Sequence, residues 1–213
     1  MKKYYFTIMG WLLVFLSVYA FSDNLFTDVG QKSNKDPKYI IHGLFCFAWF
    51  IIFLIQVNYV RKLQYKQHIR LGLAGMLAAI GVFVTTLYIF IVIFKGWQLM
   101  SPEVKANRFF MPAYAVFVYL GYKYRKQPAA HKRFIFIATI YMLGPVLGRA
   151  MAHSFLDNLL VSDLSWDITQ MSIWTAFIIS LLIYDRMILK RIHPVTIAGT
   201  GYYTLTWVLA WIT

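Results

Sequence analysis

The stretch LGLAGMLAAIGVFVTTLYIFIVIF, Leu71 to Phe94, contains no charged side chain. Coiled as a helix it reaches about 36 Å, more than the ~30 Å hydrocarbon core of a bilayer. Working outward from it, apolar segments of similar kind recur at 4–21, 39–60, 107–122, 132–153, 168–185 and 195–213. Each lies near the ~20 residues a transmembrane helix needs, and the links between them are too short to fold as domains. The expectation is an all-α bundle of about seven transmembrane spans, forming a single domain over 1–213.

Composition agrees. Of 213 residues, 60% are hydrophobic and 14% charged, against about 25% charged in soluble domains. Such a chain is not a soluble globular enzyme, a disordered tail or a collagen. The single cysteine, Cys46, excludes a disulfide framework and reads as a small buried hydrophobe. Met1-Lys2-Lys3 and the apolar run behind it read as a retained first span rather than a signal peptide, because the run is of spanning length.

The net charge of +13 supplies a direction. With the N-terminus cytoplasmic and the C-terminus outside, roughly two thirds of the Lys and Arg residues fall on the inner side. The outer side keeps Lys32, Lys35, Lys38, Lys95, Lys105, Arg108 and Arg149. Asp185 is the one carboxylate placed inside, and Trp97, Trp166, Trp207 and Trp211 lie at outer span ends, where interfacial anchors belong. This is the pattern of a multi-pass protein of a plasma membrane, here the bacterial inner membrane, with basic loops against anionic lipid headgroups. The same scatter of basic residues over short loops argues against nucleic acid and leaves other membrane proteins as partners.

Two features shape the spans. Gly72, Gly75, Ala78, Ala79 and Gly81 make a small-residue run suited to close helix packing. Gly144-Pro145, with Gly148, should bend the fifth span.

Polar residues at span ends are the candidates for chemistry. On the outer side Arg149, His153 and Asp157 are spaced four apart, one helical face if the helix continues that far, with His42 entering from the second span. Two imidazoles and a carboxylate suit a divalent metal, with His42, His153 and Asp157 as ligands. On the inner side His68, His131, Asp185 and His193 lie among Arg70, Arg133, Arg186 and Arg191. There Asp185 should form an interhelical salt bridge. His42 with His153, and His68 with His131, also have the residue types of two bis-imidazole haem b sites, although His131 and His153 lie about 33 Å of helix apart, toward the two membrane surfaces. Gln56 and Asn58 read as interhelical hydrogen-bonding groups.

Three functions follow as alternatives. The first is histidine-based haem or metal binding in membrane redox or cofactor assembly. The second is a small-solute or ion transporter lined by Arg149, Gln56 and the kinked span. The third is an intramembrane metal-dependent hydrolase. A retinal protein is excluded because Val195–Thr213 has no lysine, and no phosphate loop, zinc-protease signature or serine elbow is present.

Residues 125–200 resemble a group of uncharacterised bacterial multi-span membrane proteins. The likeness rests on His131-Lys132-Arg133, Gly148-Arg149, Asp185-Arg186 and Arg191-Ile192-His193-Pro194. It implies that these Arg and His positions matter, and it carries no activity over.

Overall fold

A computed structural model describes residues 4–213; Lys2 and Lys3, on the inner side in the orientation expected above, lie outside the described residues. Those residues are helical and include no strand. The chain divides after Val92 into two compact units.

The first unit holds α1 (Tyr5–Ala20), α2 (Pro37–Arg61) and α3 (Tyr65–Val92). Asp36 starts α2 by accepting the Lys38 backbone N–H, and Pro37 occupies the first turn, where no amide donor is needed. The small residues of α3 do what their size suggests. Gly75, Ala78, Ala79 and Gly81 are buried. A methyl group at Gly75 would lie 3.2 Å from the Ile52 side chain, and one at Gly81 would overlap the Phe45 ring of α2.

The second unit holds α4 (Pro102–Lys123), α5 (Pro128–Tyr141), α6 (Leu143–Ala152), the short α7 (Leu156–Leu159), α8 (Asp163–Leu189) and α9 (Pro194–Ile212). Its core is aromatic. Phe110 stacks on Tyr141 at 4.8 Å and on Tyr203 at 5.5 Å, with Trp174 tilted against it at 4.9 Å. Helix α9 closes on α5 through Gly199, where an added methyl would sit 2.7 Å from Ile137.

The α5–α6 pair bends by 46° at Met142. Pro145 has no N–H for the Tyr141 carbonyl four residues back, and its ring crowds that turn. Side chains of α8 satisfy carbonyls around the break: Trp174 Nε1 donates to Ile140 O at 2.7 Å and Gln170 Nε2 to Gly144 O at 2.9 Å. Pro112 lies inside α4 without ending it, and Tyr202 donates its hydroxyl to the nearby Phe109 carbonyl at 2.7 Å.

Helices α2, α3 and α8 are long and apolar enough to cross a membrane, and α5 with α6 makes a fourth if the bent pair is one broken span. These helices mark the chain as a helical membrane protein.

Candidate functional site: the histidines and the buried ion pair

In the first unit His42 and Cys46 lie one turn apart on α2. The His42 Nδ1 is 2.9 Å from Thr85 Oγ1 on α3, and the Thr85 hydroxyl donates its one proton to Gly81 O at 2.7 Å. Thr85 can therefore only accept from the ring, which puts the imidazole proton on Nδ1 and the lone pair on Nε2. Cys46 Sγ lies beside the ring, 3.5 Å from Nε2 and 3.9 Å from Nδ1. At the other end of α2, Gln56 Nε2 donates to the His68 carbonyl at 3.0 Å and ties α2 to the first turn of α3, the interhelical bond its position suggested. Asn58 differs from expectation: it donates to Leu54 O of its own helix, one turn back.

In the second unit His131 Nδ1 is 2.8 Å from the Gly121 carbonyl of α4. A carbonyl only accepts, so this ring too donates from Nδ1 and, when neutral, has its lone pair on Nε2. The expected bridge to Asp185 selects Arg133 from the surrounding arginines. Arg133 donates through Nε at 2.8 Å and also through a terminal nitrogen, both to Oδ1. Oδ2 accepts from Thr196 Oγ1 at 2.6 Å and from the His193 backbone N–H at 3.0 Å. Asp185 is 0% and Arg133 1% exposed. Three helices and a connection are thus held by one carboxylate whose acceptor sites are filled, and this is a structural lock.

His193 has a different task from His42 and His131. Its Nδ1 accepts the Val195 N–H at 3.2 Å and caps α9, so its proton sits on Nε2. Burial lowers its pKa, and the Arg133 charge adds to that while Asp185 opposes it.

The outer group does not form the single face that its spacing suggests. Helix α6 stops at Ala152, His153 is its exposed capping residue, and Asp157 sits on α7. The cause is Ser154, whose hydroxyl donates to Met151 O at 2.8 Å and accepts from the Leu156 N–H at 3.2 Å, drawing the backbone out of the helix. Arg149 remains in the last turn of α6.

Among the described residues, no group of three His, Cys, Asp or Glu side chains is placed to hold a metal ion. Two arrangements were not anticipated from sequence. The His42–Cys46 spacing of four was a usable signal, whereas Thr85 is 43 residues away and nothing local points to it. Likewise Asp167 of α8 is buried with the Glu103 carboxyl of α4 as its neighbour. Comparison with family models, curated proteins and solved structures finds no match to this chain.

Proposed function

We propose that the chain is a multi-pass protein of the bacterial plasma membrane, N-terminus inside, that holds haem b or a metal ion through imidazole Nε2 atoms. Seven crossings are supported by the coincidence of α1, α4 and α9 with the remaining apolar segments, and the orientation by the two-to-one division of basic residues.

The observation carrying the cofactor reading is the anchoring of His42 and His131. Ligand histidines donate one ring N–H to a fixed acceptor, which sets the tautomer and aims the other nitrogen. Thr85 Oγ1 and Gly121 O are such acceptors. A porphyrin brings its own equatorial nitrogens, so one or two imidazoles complete its iron and no three-residue cluster is required. Bound in this way, haem would supply one-electron chemistry.

Absorption spectroscopy and elemental analysis of the detergent-purified chain test the reading. A Soret band that shifts on reduction, or stoichiometric metal, with loss in His42→Ala or His131→Ala, supports it. Colourless, metal-free protein that does not take up haem or metal sinks it.

The 46° break favours a second reading, a small-solute or ion transporter, because discontinuous spans line transport sites in many carriers. It requires flux in proteoliposomes that Arg149→Ala abolishes.

A further inference from the structure

We propose that a cavity of about 200 Å³ at the start of the second unit holds the phosphate headgroup of an anionic phospholipid. Its lining includes Ile93, Lys95, Leu99, Met100, Val104 and Arg108, from the link between α3 and α4 and from the first two turns of α4. None of these residues belongs to the histidine sites proposed above.

Position comes first. Ile93 directly follows the last residue of α3, a helix long and apolar enough to cross a bilayer, so the cavity sits where the chain leaves the hydrocarbon. Ile93, Phe94 and Leu99 are 42%, 53% and 77% exposed, which leaves an apolar rim beside the two cations. The volume is below the ~300–1,000 Å³ of pockets that enclose a whole small molecule. It takes a headgroup and leaves the acyl chains along the exposed rim.

Charge comes second. Lys95 and Arg108 give the lining two positive groups, and no carboxylate lies among the described lining residues. Glu103 of the same helix turn is engaged elsewhere: its Oε1 accepts from the Ser101 hydroxyl at 2.6 Å, and its carboxyl neighbours Asp167 of α8. A phosphate diester carries one negative charge, which the two cations attract. The ammonium of a zwitterionic lipid would meet Lys95 as a like charge.

Hydrogen bonding comes third. Arg108 Nε donates to Met100 Sδ at 3.1 Å, and the guanidinium lies over the Phe94 ring, 5.4 Å from its centroid. A thioether is a weak acceptor. A phosphate oxygen taking its place makes a charge-assisted bond, roughly twice as strong as a neutral one. Free inorganic phosphate could form that bond too, but it would shed water against Leu99, Met100 and Val104 with nothing apolar to set against them. A lipid supplies the apolar part, and this selects lipid as the source of the phosphate.

The test is native mass spectrometry of the full chain in detergent, titrated with phosphatidylglycerol, with phosphatidylcholine and with inorganic phosphate as competitor. The expected result is one tightly held phosphatidylglycerol per chain, retained at least ~10-fold better than phosphatidylcholine and not displaced by inorganic phosphate. Arg108→Gln should weaken retention at least ~10-fold and Lys95→Gln about 5-fold. Val104→Trp, which fills the cavity and keeps both cations, should abolish it. Arg125→Gln, at an exposed arginine just beyond the far end of α4, should leave it unchanged. Thermal melting confirms that each variant is folded, and Lys95→Gln with Val104→Trp carries the test if Arg108→Gln is not. Displacement by inorganic phosphate overturns lipid as the occupant. Equal retention of the two lipids, equal loss in Arg125→Gln, or full retention in folded Val104→Trp overturns the site outright.

Discussion

Asp185 in the second unit receives hydrogen bonds on both carboxylate oxygens from Arg133, Thr196 and the His193 backbone. His42 in the first unit meets a committed hydroxyl at Nδ1, and Cys46 Sγ lies beside its ring. Both are polar groups in apolar helices, yet one is saturated and the other is not. A saturated network resists change and gains nothing from a ligand. An imidazole anchored through Nδ1 keeps Nε2 as an acceptor that a ligand can use. The same economy of polar residues thus separates a lock from a site.

The contrast breaks most visibly at Asp185. Asp185→Ala strands the Arg133 guanidinium at 1% exposure and should cost about 3–5 kcal/mol in denaturant unfolding. His42→Ala should cost far less while abolishing cofactor or metal uptake; equal losses at both positions would erase the distinction. Next in size, Trp174→Phe keeps most of the packing but removes the donor to Ile140 O. A loss of about 1–3 kcal/mol is expected, and an unchanged melting curve would show that the break does not need its cap.

A smaller effect concerns acidity. The pKa of His193 is lowered in the folded chain, so below about 6.5 the unfolded chain binds the extra proton more readily. Its contribution to stability is present above that pH and is lost as pH falls toward the folded value. Melting temperature should therefore drop on acidification below neutrality, and His193→Asn, which retains an acceptor for the Val195 amide, should reduce the slope. The smallest effect is at Gly43, where an added methyl meets nothing within 4 Å. Gly43→Ala should stabilise α2 by about 0.5–1 kcal/mol, visible as a slightly higher midpoint.

The helices were legible because hydrophobic length is a one-dimensional property: every segment expected to span falls on a helix or, at 132–153, on the α5–α6 pair. The bend was legible too, since Gly144-Pro145 creates it locally. The end of α6 was not. The spacing of Arg149, His153 and Asp157 assumes an uninterrupted helix, and one serine side chain ends it. Partner choice was least legible. Four arginines surrounded Asp185 in the sequence, and only packing selects Arg133; Thr85 becomes the His42 acceptor only because α3 lies against α2.

The capped break has a consequence for biogenesis. Trp174 and Gln170 follow the carbonyls they satisfy by 34 and 26 residues, so during synthesis the bent segment emerges well before its donors. Until α8 arrives, Ile140 O and Gly144 O lack these side-chain donors, and the bend is held by its own backbone alone. The fifth apolar segment therefore gains its last hydrogen bonds only after a later segment has been made. Insertion of α8 completes it retroactively, and a ribosome stalled between the two would leave a span that has entered but not yet settled.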